Sequence, residues 1–400
     1  MSTPSPSTEA RGTRGRTFAG VAALAGLALV ATGCSASTAD SGETGGEAAE
    51  GRVAVAYQNG IAVLDGTTLE IVDEFESEEF TRLNPVGDGR NVMVTMSKGF
   101  QVLDTAEPAL TDRVFDATTP GHVVPHGGKT VLYDDGTGDS TVFETDALIG
   151  SEGLPESEVI PAEAAHHGVS IELEDGTFLT TIGDETARTG ARALDADGEE
   201  IARSEDCPGI HGEGTAADEA VVFGCEDGAL LYHHGEFEKL TAPDEFGRMG
   251  NAYVSETSPL VVGDYKTDPD AEGYLLNMVT LIDTAEHTFD VVDLPDNVQY
   301  TYRDVVRGPE NLAYILSTDG SIHVLDPETG ELTDEFPVVE PWEGPAEWQD
   351  PHPTIKVNGD TAYVTEPATN TVHAVDLTTG EKTASVELSA APNEIAVALG

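Results

Sequence analysis

Thr361-Ala362-Tyr363-Val364-Thr365, then Thr371-Val372-His373-Ala374-Val375-Asp376, then Thr383-Ala384-Ser385-Val386-Glu387-Leu388: three short runs follow one another near the C-terminus, rich in β-branched and aliphatic residues and parted by turns. Such runs read as consecutive antiparallel strands. The middle one ends in an aliphatic-Asp pair, and the turn Asp376-Leu377-Thr378-Thr379-Gly380 follows it. The same unit precedes it, in strands over 312–317, 321–326 and 332–336 with the turn Asp326-Pro327-Glu328-Thr329-Gly330. Working back towards the N-terminus, the aliphatic-Asp pair recurs at Asp65, Asp104, Asp195, Asp283, Asp326 and Asp376, at intervals of 39, 91, 88, 43 and 50 residues. Two intervals are double, with degenerate copies around 143–146 and 231–234. The period is therefore about 44 residues, the length of a four-stranded propeller blade.

No segment carries a helical period, so the chain reads as all-β: a β-propeller over residues 52–400. The first strand after the N-terminal region, Arg52–Tyr57, is a second strand with no inner strand before it. The last, over 393–398, is an inner strand with no blade after it. Each end supplies what the other lacks, so the two share one blade and leave no bare sheet edge. Counting in this way gives eight blades, or seven if one degenerate copy is an insertion.

Residues 1–33 read as a signal peptide. Arg11, Arg14 and Arg16 precede an apolar run over 18–30 that is too short and too rich in Ala and Gly for a membrane span. Ala31-Thr32-Gly33 before Cys34 is similar to the lipobox of bacterial lipoproteins. It predicts lipidation of Cys34 and a cell-surface protein held at the outer face of the cytoplasmic membrane by its lipid alone. Plain secretion is the alternative. Residues 34–51 hold almost nothing apolar and read as a flexible acidic tether.

Asp and Glu number 74 against 19 Lys and Arg, a net charge of −55. Phosphate backbones would be repelled, which argues against nucleic acid as a partner. The acidic residues run along the whole chain, as on a surface facing high salt, where screening relieves self-repulsion. With Cys34 assigned to lipid, Cys207 and Cys225 remain. In an oxidising compartment they are expected to form a disulfide worth roughly 3 kcal/mol; a two-cysteine metal site is the alternative.

Eleven histidines are present. His233, His234, His323 and His373 on third strands and His287 on an outer strand read as surface or packing residues. The others fall on or beside inner strands. Eleven residues before the second-strand positions Met93, Tyr133, Phe178, Val222, Tyr314 and Tyr363 stand Arg82, His122, His167, His211, Arg303 and His352. Three consecutive blades thus bring a histidine to one level of the channel wall. Imidazoles converging from adjacent strands are what a tetrahedral zinc site needs, so His122, His167 and His211 are the expected ligands. His166, His126 and Glu213 are candidates for a fourth donor, and His352 could reach in only across the channel. The plain alternative is polar channel residues without a metal.

Ala165-His166-His167-Gly168-Val169, Cys207-Pro208-Gly209-Ile210-His211-Gly212-Glu213, Phe223-Gly224-Cys225 and Pro125-His126-Gly127-Gly128 together resemble the AztD zinc metallochaperones. The resemblance implies an exported β-propeller that binds zinc through these channel histidines. It also implies hand-over of the ion to the substrate-binding protein of a zinc ABC transporter. Two other readings stay open from the residues alone: a lactonase- or lyase-like propeller enzyme using a channel metal, with Glu213 as base, and a metal-free interaction scaffold.

Overall fold

The computed structural model describes residues 51–399 except Glu272. The expected signal peptide, Cys34 and nearly all of the expected tether lie outside these residues. Among the described residues eight sheets form, each with four antiparallel strands, and one adds a two-residue strand, Gly247–Arg248, in parallel. The count of eight is the one expected from the repeat. Strand Arg52–Tyr57 pairs antiparallel with Pro392–Ala398, Val53 opposite Val397 and Val55 opposite Ile395, so the closing blade is built from both ends of the chain. We call it blade 1 and number the rest in chain order.

The aliphatic-Asp pair that marks the repeat has a local cause. Each such aspartate turns its carboxylate onto the backbone N–H groups just ahead, a turn stabilised from within. Asp65 Oδ1 accepts from Thr67 N and Thr68 N, Asp104 Oδ1 from Ala106 N and Glu107 N, and Asp376 Oδ1 from Thr378 N and Thr379 N. The degenerate blade 3 keeps the device, with Asp134 Oδ1 accepting from Gly136 N.

Strand periodicity then decides the packing between blades. Along Arg52–Tyr57, Val53 and Val55 point one way, into a buried cluster with Tyr363, Val372 and Ala374 of blade 8. Ala54 and Ala56 point the other way, towards Leu83, Val92 and Val94 of blade 2. Both faces of a middle strand are therefore apolar, and side chains alternate between neighbours. Similar clusters lie between every adjacent pair of blades, so the core is a ring of interfaces. Each fully buried aliphatic side chain in it contributes about 1.5–3 kcal/mol. Tyr363 adds a bond across the closing seam, donating its hydroxyl to Gly66 O at 2.6 Å. The outer strands carry much of the acidity on exposed positions, as in Ile71–Glu76 and Glu381–Glu387.

Candidate metal centre

His122 belongs to the inner strand of blade 3, Pro120–His126. His167 lies in the loop three residues ahead of the blade 4 inner strand, Ser170–Glu172. His211 opens the blade 5 inner strand, His211–Ala216. Their ring centroids are 5.2, 5.2 and 5.9 Å apart, and one nitrogen from each lies within 4.8 Å of the others.

What each ring does with its other nitrogen fixes this arrangement. His122 Nδ1 is 2.8 Å from Gly168 O and His211 Nδ1 is 2.6 Å from Gly250 O. A carbonyl can only accept, so both Nδ1 atoms carry the proton and both Nε2 atoms present lone pairs. His167 Nδ1 likewise donates to Asp135 Oδ2 at 2.6 Å. Each inner strand or its loop thus orients the imidazole with an acceptor, in two cases a carbonyl of the next blade. That is the outer support zinc-binding histidines ordinarily have.

The consequence is a pair of nitrogens close enough to share one cation. His167 Nε2 and His211 Nε2 stand 3.2 Å apart. Two nitrogens at about 2.0–2.1 Å from one tetrahedral zinc stand about 3.3 Å apart, so the spacing is that of ligands. Burial pushes the His122 imidazole well below its ordinary pKa, helped by the charges of His211, Arg82 and His167. Burial likewise lowers His211 to about 4. Both rings are neutral at pH 7 and need lose no proton to bind a metal. His167 is the open member, its side chain 45% exposed. It faces a cavity of about 450 Å³ whose wall includes Trp348, Tyr274 and Arg248.

The remaining histidine candidates have other partners. His166 is buried, donating from Nδ1 to Ala164 O at 2.9 Å and receiving the hydroxyls of Thr181 and Tyr133 at Nε2. His126 is four residues along the strand from His122 and pairs with Glu219 at 2.9 Å. His352 stacks on Trp342, donates from Nδ1 to Asp350 O and accepts the Thr301 hydroxyl at Nε2. Glu213 lines the next section of channel beside His122, its carboxyl raised to about 7 by burial. None of these four is in the three-histidine group. Cys207 and Cys225 form a disulfide, with their Cα atoms 5.0 Å apart.

Asp135 is the functional candidate that sequence reading missed. It follows the turn aspartate Asp134, and no spacing rule ties it to His167, 32 residues on. Its room comes from Gly121, where a Cβ would lie 2.4 Å from Asp135 Oδ1. Asp135→Ala should lower zinc affinity about 10–100-fold, read by competition with a chromophoric chelator. Unchanged affinity would mean that His167 holds its orientation without the carboxylate.

A second convergence among the described residues, Asp319, His323 and Glu335, lies in blade 7. There the carboxylates approach opposite nitrogens of one ring, Nε2 at 3.0 Å and Nδ1 at 3.9 Å. One imidazole cannot turn both nitrogens to a single ion, so this is a histidine held between two carboxylates.

His352 gives the protein a pH dependence away from the centre. Its folded pKa, lowered by burial to about 4, lies below the value of about 6.5 in an unfolded chain. Between those values only the unfolded chain takes up the proton, so stability is full above about pH 6.5 and falls as pH drops towards 4. The loss should reach about 3 kcal/mol at most. Thermal unfolding at stepped pH checks it: the slope between pH 6.5 and 4 should shrink in His352→Gln, and an unchanged slope would remove His352 as its source.

Fold and centre together define an eight-bladed β-propeller with three metal-presenting histidines on adjacent blades. The chain is similar to the zinc chaperone AztD of Citrobacter koseri, 26% identical over 312 residues, covering 74% of this chain and 70% of that one. The structure of apo AztD from Citrobacter koseri superposes with a TM-score of 0.73 at 21% identity, covering 87% of this chain and 97% of that one. The dihydro-heme d1 dehydrogenase NirN shares the fold more distantly, with a TM-score of 0.61 at 13% identity over 88% of this chain and 75% of that one. No family model matches. The AztD-like character expected from the histidine and cysteine motifs therefore extends over most of the propeller.

Proposed function

We propose that this protein is an exported zinc carrier that binds one Zn²⁺ through Nε2 of His122, His167 and His211 and passes it to the substrate-binding protein of a zinc ABC transporter. The observation that carries the reading is the convergence of three imidazoles, one nitrogen from each within 4.8 Å of the others, while Nδ1 of each ring is hydrogen-bonded elsewhere. The similarity to a zinc chaperone supports the same cargo and a carrier's role in place of a catalyst's. Zinc is cargo here, so the site should both bind and release. The openness of His167 favours release, because an incoming ligand can reach the ion from its side. Anchoring through Cys34 would keep the carrier at the membrane surface where a transporter works.

The test is direct transfer. Zinc-loaded protein is mixed with the metal-free substrate-binding protein and an excess of chelator that captures any free ion. Zinc appearing on the partner faster than the chelator acquires it supports hand-over. Zinc reaching only the chelator would remove the chaperone role while leaving binding intact. Detergent partitioning of cells making Cys34→Ser tests the anchor: the variant should leave the membrane phase, and equal partitioning would exclude a lipid at that residue.

A further inference from the structure

Beyond the histidines the channel continues into a cavity of about 300 Å³ that shares His122 and Arg82 with the metal centre's surroundings. Its wall carries three cations, Arg82, Arg303 and Lys356, and two carboxylates, Glu213 and Glu394. In a chain with 74 acidic and 19 basic side chains, cations gathered in an interior are the scarce element. Arg303 is fully engaged: its guanidinium reaches Glu394 at 2.8 Å, Asn393 Oδ1 at 2.9 Å and Trp348 O at 3.1 Å. Glu394 Oε1 makes that ion pair without an aligned hydrogen bond, and its charge also acts on Lys356. Glu213 is enclosed, its carboxyl raised by burial.

Arg82 and Lys356 have no such partners. Arg82 Nε is buried without an acceptor, and among the described residues neither side chain makes a hydrogen bond or ion pair. Thr354, 2% exposed and two residues before Lys356 on the same wall, also has a hydroxyl with no partner. Lys356 opens onto the channel yet is enclosed by the ring. Its pKa is lowered by that burial, with the guanidiniums of Arg303 and Arg82 adding to the effect against Glu394. Lys356 is exposed within the channel, so the groups buried without partners are Arg82 Nε and the Thr354 hydroxyl. Two such donors beside an unpaired ammonium suit an anion with several acceptor atoms.

We propose that Arg82, Lys356 and Thr354 form a binding site for a small oxyanion, a free phosphate or carboxylate, in the central channel next to the histidine centre. A planar guanidinium from blade 2, with an ammonium and a hydroxyl from blade 8, suits an ion whose oxygens face several directions. A second part rests on the zinc reading above. Arg82 and His122 line the same two cavities, so without an anion the guanidinium opposes a cation at His122, and with one it does not. Zinc and oxyanion should therefore tighten each other's binding by the same factor, about tenfold.

The experiment is calorimetric titration of the metal-free protein with inorganic phosphate and, separately, acetate, at pH 7 and constant ionic strength. One saturable site for at least one of the two is expected, and which of them binds identifies the oxyanion class. Arg82→Gln and Lys356→Gln should each weaken it about 10–100-fold, the effect of one charge-assisted hydrogen bond. Lys266→Gln, at the channel mouth, should not. Unfolding midpoints of the variants distinguish loss of the site from loss of the fold. No saturable binding by the unaltered protein, or equal affinity in Arg82→Gln and Lys356→Gln, overturns the proposal. Zinc titrations with and without phosphate test the coupling. Phosphate binding without zinc binding would sink the carrier reading and leave this site standing, and zinc binding without phosphate binding would do the reverse.

Discussion

Replacing His167 or His211 by alanine is expected to abolish tight zinc binding, while His323→Ala and His373→Ala leave it unchanged. The asymmetry follows from what each ring does. His167 and His211 hold their Nδ1 protons against Asp135 and Gly250 and turn their Nε2 atoms on each other at 3.2 Å. His323 and His373 spend Nε2 on Asp319 and Glu366, and both are buried between strands away from the channel. Loss of an outer partner of a zinc histidine typically costs 10–100-fold in affinity, so loss of the ligand itself should cost more than about a hundredfold. Competition against a chromophoric chelator, with stoichiometry from elemental analysis, measures it. Equal losses in both pairs of variants, or in neither, would mean that the metal sits elsewhere in the ring. The metal-free His211→Ala protein should meanwhile fold normally, since the ring belongs to none of the apolar clusters between blades.

The parts of this molecule that could be read from its sequence are those with local causes. The aliphatic-Asp pair is legible because the aspartate satisfies N–H groups two and three residues ahead, so the device travels with each blade. The closing blade is legible because a chain that begins with a second strand and ends with an inner one has a single way to avoid an open edge. The histidines are legible only in part. A constant step of eleven residues selects His122, His167 and His211, but it also selects His352. That step ignores the bulges in the inner strands of blades 3 and 5, between Pro120 and Val123 and between His211 and Gly214. It also ignores that His167 and His352 both precede their strands by three residues. What separates these two is tertiary. Trp342 and Thr301 engage His352, while Asp135 from the preceding blade draws His167 to the centre. Neither partner has a fixed sequence distance, because each contact crosses between blades. The orphaned donors of Arg82, Lys356 and Thr354 were illegible for the same reason: a missing acceptor shows only when the surroundings are complete.

Opening the disulfide is expected to cost stability far more than it costs zinc. Cys207 and Cys225 are both fully buried in the cluster between blades 4 and 5, with Ile210, Val221 and Phe223. The double variant Cys207→Ala/Cys225→Ala removes a crosslink worth about 2–5 kcal/mol, and it trims two packed side chains as well. The thermal midpoint should fall by several degrees. His211 stands only four residues beyond Cys207, so a large loss of zinc affinity would seem natural too. The backbone argues otherwise. The loop is sewn to its neighbours by Cys207 N to Thr189 O at 3.0 Å, Gly209 N to Arg188 O at 2.9 Å and Glu226 N to Pro208 O at 2.8 Å. His211 is oriented by Gly250 O of the next blade, which the disulfide does not touch. Zinc affinity at a temperature well below the midpoint should therefore change by less than about tenfold, below the 10–100-fold cost of losing an outer partner. Measuring both quantities on one sample separates the roles. A hundredfold loss of affinity in protein that remains folded would show that the covalent bond, and not the hydrogen-bonded loop, sets the position of His211.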